Sequence, residues 1–218
     1  MKKIIYTLNL LLITILLFTG CKVKDTSLGI DFSNGNEVSI NYDTSNPLVA
    51  LDIKNYGAII IELYPDVSPN TVNNFIYLVR QGFYDNNNFH RLVKGFVLQG
   101  GDPNGDGTGG PGYHIQGEFT SNNFTNNLKH EKGIVSMARA TNPNTAGSQF
   151  FIMLGTATNL DGNYAAFGKV VKGMDVIEKI EKNEQVENST TGKLKNNITI
   201  KKAVVDTKGN TYNEPEKI

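Results

Sequence analysis

Hydrophobic and polar positions alternate with a period of two, or gather into short apolar runs, along most of this chain. Val49-Ala50-Leu51-Asp52-Ile53 and Ala58-Ile59-Ile60-Ile61-Glu62-Leu63 read as strands. Between them Lys54-Asn55-Tyr56-Gly57 reads as a turn, with glycine where a positive φ is cheap. The runs Phe89 to Asp102, Ser148 to Met153 and Asn197 to Val205 continue the strand pattern. Helical spacing shows at two places. Val72, Phe75, Ile76 and Val79 mark a buried face, with Ser68 placed to cap, Pro69 suited to the first helical position and Gly82 to the exit. Met174 to Glu181 predicts a second helix with Val176, Ile177 and Ile180 inward. Many short strands and only two helices argue for a mainly β fold, a closed β-barrel with helices over its ends.

The N-terminus belongs outside that reasoning. Lys2 and Lys3 precede an apolar stretch from Ile4 to Phe18, and Leu17-Phe18-Thr19-Gly20-Cys21 places small residues before the only cysteine. This is similar to a bacterial lipoprotein signal over residues 1–20, cleaved so that the Cys21 thiol carries lipid. Phe18 departs from that pattern, since the usual aliphatic residue, Leu17, sits one place further back. The alternative is an uncleaved membrane anchor, for which the stretch is short. Either reading tethers the domain outside the cytoplasm, and the lipoprotein signal implies a bacterial cell membrane, with the protein on its extracytoplasmic face. Residues 22–46, rich in Lys, Asp, Ser, Asn and Gly, read as a flexible tether, although Val38 to Tyr42 could add a short strand. The folded domain is expected over 47–207, followed by a tail over 208–218.

A chain of 218 residues with 39% apolar and 19% charged residues suits one substantial core. Its 21 basic residues balance 21 acidic ones; removing residues 1–20 would leave 19 against 21. A nearly neutral chain gives no electrostatic reason to bind nucleic acid. A lone cysteine forms no internal disulfide, so the fold must rest on its core.

The candidate chemistry lies in two runs, Phe89-His90-Arg91-Leu92-Val93-Lys94-Gly95-Phe96-Val97-Leu98-Gln99-Gly100-Gly101-Asp102 and Ser148-Gln149-Phe150-Phe151-Ile152-Met153. They set an arginine and two glutamines among aromatic and aliphatic side chains. A guanidinium is too costly to desolvate on an apolar surface without purpose. Together they read as a groove that takes an apolar residue and offers donors to its amide. Other patterns fail on context. Asp102-Pro103-Asn104-Gly105-Asp106-Gly107 imitates a calcium loop, but Tyr113 stands at the twelfth position in place of glutamate. Gly105 to Gly110 fits G-x-G-x-x-G, but Pro111-Gly112 follows where a helix should start. His90, His114 and His130 lack tight metal spacing, and His90 reads as a structural hydrogen-bonding residue. No Ser-His-Asp set with a nucleophile turn is evident.

These two runs, with Gly133-Ile134-Val135-Ser136-Met137-Ala138 and Leu160-Asp161-Gly162-Asn163-Tyr164-Ala165-Ala166-Phe167-Gly168-Lys169-Val170, closely resemble the cyclophilin family of peptidyl-prolyl cis/trans isomerases, in register from about Leu48 to Asp206. The resemblance implies an eight-stranded antiparallel barrel with two helices and no cofactor or metal. It implies catalysis by Arg91 and a proline pocket lined by Phe96, Val97, Phe151 and Leu160. Gln99 and Gln149 would orient the arginine and the substrate backbone, and Ala138-Arg139-Ala140 would anchor the peptide through its main chain. Arg139 stands where many relatives carry asparagine, and Tyr164 stands where many carry histidine on the pocket wall. Asn159 replaces the tryptophan of cyclosporin-sensitive relatives, so weak cyclosporin binding is expected. The expected partners are proline-containing unfolded or partly folded polypeptides, and a monomer is expected. A module that binds proline segments without turnover is the competing reading.

Overall fold

The computed structural model describes residues 24–25 and 28–218. The expected signal segment and Cys21 lie outside the described residues. The elements run β1 (Lys24–Asp25), β2 (Ile30–Asp31), β3 (Leu48–Ile53), β4 (Gly57–Leu63), α1 (Pro69–Arg80), β5 (Asn87–Val93), β6 (Val97–Asp102), β7 (Ile134–Met137), β8 (Phe150–Met153), β9 (Ala166–Lys172), α2 (Met174–Asn183), β10 (Val186–Asn188) and β11 (Lys193–Asp206). Eight strands pair antiparallel in the order β11-β3-β4-β9-β7-β8-β6-β5, and β5 returns to β11 to close the barrel. Closure falls to the 14-residue β11. Its later part, from Ile200 to Asp206, pairs with β3, while its earlier part, from Lys193 to Ile200, pairs with β5. Register shifts within both pairings let the strand bend between its two neighbours.

The interior holds Val49, Leu51, Ile53, Ile59, Ile61 and Leu63 from β3 and β4, packed with Phe75, Phe150 and Phe167. The alternate residues Leu48, Ala50, Ala58 and Ile60 point outward, yet are buried as well. Their cover is Ile30, Phe32 and Ile40, with Leu28, Val38 and Tyr42 against them. This explains why β3 and β4 read as continuous apolar runs, and it corrects the expected flexible tether. From Leu28 onward that segment is packed, because its scattered apolar residues cover the outer barrel face. The segment is pinned by Ile40 N donating to the Asp206 carboxylate at 2.7 Å and Val38 N to Val205 O at 2.9 Å. Val38 to Tyr42 forms no strand; Glu37 makes an isolated parallel bridge with Val205.

Helix α1 starts at Pro69 and buries Val72, Phe75, Ile76 and Val79, as its spacing predicts. Ser68 stands at the N-cap, but its hydroxyl donates to Ala166 O at 2.9 Å. Glu118 caps instead, accepting from Asn70 N at 3.0 Å and Thr71 N at 2.7 Å. A carboxylate at the positive end of the helix dipole serves that role well. Gly82 has φ +67° and ends the helix. Helix α2 extends two residues beyond the expected Glu181 and buries Val176, Ile177 and Ile180.

Candidate active site

Pairing register alone assembles the site. Arg91 of β5 lies opposite Gln99 of β6, Gln99 opposite Phe151 of β8, and Phe151 opposite Ser136 of β7. Directly opposed residues share a sheet face, so these four form one row across four strands. Their neighbours Leu98, Phe150, Ile152, Val135 and Met137 point into the barrel core. The row therefore stands on the outer face. There Val97, Ile134, Phe151, Met153 and Leu160 form a separate apolar cluster, with Phe96 and Tyr164 against it.

Above that cluster is a cavity of about 200 Å³ lined by Arg91, Phe96, Val97, Gln99, Ala138, Arg139, Phe151, Leu160 and Tyr164. It is the size of one side chain rather than of a whole drug-like ligand. Phe151 and Leu160 are nearly buried, and the Tyr164 ring meets Phe151 edge-on at 5.9 Å. Nine of the eleven residues expected at the site thus line this one cavity. The other two, Ala140 and Gln149, line an adjoining cavity of about 730 Å³ together with Gln99, Ala138 and Arg139.

Arg91 is half-buried and held on one side. Its Nε donates to Thr191 O at 2.8 Å and its Nη1 to Gln99 Oε1 at 3.2 Å. Gln99 Nε2 donates to Gln149 Oε1 at 3.0 Å, and Gln149 Nε2 donates to Gly107 O and Gly109 O, each at 2.9 Å. The arginine is therefore the end of a hydrogen-bonded chain reaching into the glycine-rich loop. Its Nη2 has no partner among the described residues and is available to a ligand. Burial pushes the guanidinium below the usual arginine range, partly offset by Tyr164; it remains protonated at neutral pH. Thr191 can reach Arg91 because Gly192 packs directly on β5. A Cβ at Gly192 would lie 2.7 Å from Val93 Cγ2 and 2.9 Å from Leu92 O.

Ala138 N donates to Gln149 O at 2.9 Å and Ala140 N to Thr145 Oγ1 at 3.0 Å, which fixes the stretch between the two cavities. The Arg139 side chain turns along the wall. Its guanidinium lies 4.6 Å from the Tyr164 ring centroid and 5.1 Å from that of Phe119.

The structure also brings together a set that sequence reasoning missed. His130 Nδ1 lies 3.2 Å from Asp161 Oδ1, and His130 Nε2 lies 3.0 Å from Ser136 Oγ. This is the order of a hydrolytic triad, but Ser136 is fully buried on the strand beside Phe151, where no substrate reaches its hydroxyl. The His130 ring stacks on Phe151 at 6.1 Å, so the three residues brace the cavity floor. Asp161 is 31 positions from His130 and shares no local motif with it, so spacing carried no signal. Asp161 also accepts from His130 N at 2.8 Å. With Asp161 ionised, the Nδ1–H tautomer is favoured, leaving Nε2 to accept from Ser136.

His90 does not meet its expected role as a structural hydrogen-bonding residue. It is buried, and its Nδ1 has no hydrogen-bond partner. The calcium-like loop folds onto itself instead. Asp102 accepts from Asn104 N at 2.8 Å, Asp106 N at 3.0 Å and Gly107 N at 2.5 Å. No group of three metal-ligating side chains occurs among the described residues.

Residues 48–205 match the family model for cyclophilin type peptidyl-prolyl cis-trans isomerases. The chain is 44% identical over 148 residues to the Arabidopsis thaliana isomerase CYP71, covering 67% of this chain but only 23% of that longer protein. It is 50% identical over 114 residues to peptidyl-prolyl cis-trans isomerase B of Bacillus subtilis, covering 52% of this chain and 76% of that one. Among solved structures, a cyclophilin type isomerase of Cryptosporidium parvum, crystallised in the presence of the dipeptide Ala-Pro, superposes with a TM-score of 0.65 at 37% identity. That match covers 72% of this chain and 98% of the other. With the barrel, the groove and 158 matched residues in agreement, the chain belongs to the cyclophilin-type peptidyl-prolyl cis-trans isomerases.

Proposed function

We propose that this protein accelerates the exchange of X-Pro bonds in exported polypeptides as they fold, while held to the outer face of a bacterial membrane by lipid on Cys21. Rotation about a peptide bond is opposed by roughly 18–20 kcal/mol because nitrogen shares its lone pair with the carbonyl. Before proline the two isomers are close in energy but exchange over tens to hundreds of seconds. In the twisted state the lone pair returns to nitrogen, and a donor aimed there binds that state better than either planar one. Each ~1.4 kcal/mol of such preference is worth tenfold in rate.

The carrying observation is the uncommitted Nη2 of Arg91 beside a single-ring cavity walled by Phe96, Phe151 and Leu160. The proline ring would sit in that cavity, Arg91 would donate to its nitrogen, and the carbonyl side would turn. Gln99 and Gln149 would hold the arginine in line, and the main chain of Ala138 to Ala140 would hold the peptide. The Ala-Pro dipeptide of the Cryptosporidium structure supports this class of ligand. Asn159, exposed and next in the chain to the cavity residue Leu160, supports the expectation of weak cyclosporin binding.

Lipid attachment rests on the Lys2-to-Cys21 pattern. The test has two parts. Exchange spectroscopy on an Ala-Pro peptide should show faster isomerisation with catalytic amounts of protein; binding without faster exchange would favour the non-catalytic module. Mass spectrometry of the mature N-terminus should find an acylated Cys21, and an unmodified chain beginning at Met1 would refute lipid attachment and favour the uncleaved anchor.

A further inference from the structure

We infer that Arg139 makes the groove selective for substrates carrying a carboxylate side chain close to the proline. The inference deepens the isomerase reading of this site and rests on it. Arg139 lines both cavities, so its cation faces a chain passing from one to the other. Its Nε and Nη2 donate to Asn163 O at 3.1 and 2.9 Å, and its Nη1 donates to Ala140 O at 2.9 Å and Thr141 O at 3.2 Å. Those bonds and the Tyr164 and Phe119 rings fix the guanidinium in place.

All of its acceptors are neutral. No Asp or Glu lies in ion-pair distance of Arg139 or Arg91 among the described residues, and none lines either cavity. The nearby acids are committed elsewhere. Asp161 is bound to His130 and Lys129, Asp106 to Thr108, and Asp102 to the backbone of its own loop. On a chain of zero formal charge, two guanidiniums therefore share one groove with no balancing Asp or Glu side chain; the carboxyl group of Ile218, at the far side of the larger cavity, accepts from His114 N at 3.2 Å. One of them, by the proposed mechanism, is occupied with the imide. The other is pre-ordered at the junction of the cavities, where a neighbouring side chain of the substrate must pass. A glutamate or aspartate there completes an ion pair whose ordering cost the protein has already met, whereas a lysine is repelled.

The test uses proline peptides with Glu, Gln or Lys placed in turn at the two positions before the proline and the one after it. Catalysed exchange and Kd are measured at low and high salt. For the wild type, at one of these positions, Glu is expected to exceed Gln by about fivefold in kcat/KM at low salt, with Lys below Gln and the advantage fading at high salt. The Glu-to-Gln ratio should fall to about one in Arg139→Gln and recover in part in Arg139→Lys. A purely structural arginine would change all peptides alike and leave the ratio intact, and that result overturns the inference. A wild-type ratio near one at every position does so equally. Should the Gln variant fail to fold, Arg139→Met keeps an apolar stem against Phe119 and Tyr164 and gives the same comparison. If no peptide is turned over at all, the isomerase reading fails, and the charge preference is still decided by the ratio in Kd.

Discussion

Replacing His130 by leucine removes the bracing beneath the cavity while filling most of the same space. The Ser136 hydroxyl, fully buried, has His130 Nε2 as its partner at 3.0 Å. Leaving it unpaired costs about 1–3 kcal/mol. The bond from Nδ1 to Asp161 is lost as well, worth about 1 kcal/mol beyond the bonds Asp161 keeps to His130 N and Lys129. His130→Leu should therefore destabilise by about 2–4 kcal/mol, lowering the melting temperature by roughly 5–12 °C for a domain of this size. Ser136→Ala alone should cost about 1–2 kcal/mol, because it strands the imidazole Nε2. The double variant strands neither group. It should be less destabilised than the sum of the two singles by about 1–2 kcal/mol. Urea unfolding of all four proteins at pH 7.5 reads the cycle. Additivity within about 0.5 kcal/mol would show that the two side chains do not depend on one another and would refute the reasoning.

Burial pushes both His130 and His90 below the ordinary imidazole value of 6.5. The unfolded chain then binds protons more readily, so this stability is complete above pH 6.5 and lost as pH falls toward the lowered folded values. Urea midpoints should drop between pH 7.5 and 5; a flat profile contradicts the burial of neutral imidazoles. Gly101 has φ +82°, and a Cβ there would lie 2.3 Å from Ser148 O, so Gly101→Ala should cost at least about 3 kcal/mol and sharply reduce soluble yield. A variant with wild-type unfolding would show that β6 can shift away from Ser148. Asn159→Trp should tighten cyclosporin binding by about tenfold in calorimetry through the added aromatic face, and unchanged affinity would refute the link between Asn159 and the weak binding proposed.

How much of this was legible depended on whether the signal was local. Helix α1 and the strand pair β3 and β4 are written in contiguous periodicity, and the structure follows it closely. The cavity lining was legible only through the family resemblance of its motifs, since singly Phe96, Val97, Phe151 and Leu160 read as ordinary core; hairpin register sets Arg91 opposite Gln99. What escaped was everything brought in from a distance. Glu118 caps a helix 48 positions away, His130 pairs with Asp161 across 31, and Thr191 O reaches Arg91 across 100. Residues 28–46 misled for a different reason. Their polar composition hides Ile30, Phe32 and Ile40, spaced to no regular period because they cover a barrel wall without forming a strand along it.

The role proposed for Arg91, donation to the twisted imide, is open to a direct experiment in its replacement. Catalysed cis/trans exchange of an X-Pro peptide should be compared for wild type and Arg91→Ala, with far-UV dichroism and peptide Kd measured on both. In Arg91→Ala, kcat/KM should fall by about 10²–10³-fold, with the fold intact and Kd changed far less. An Arg91→Ala protein that isomerises the peptide at the wild-type rate would contradict that role.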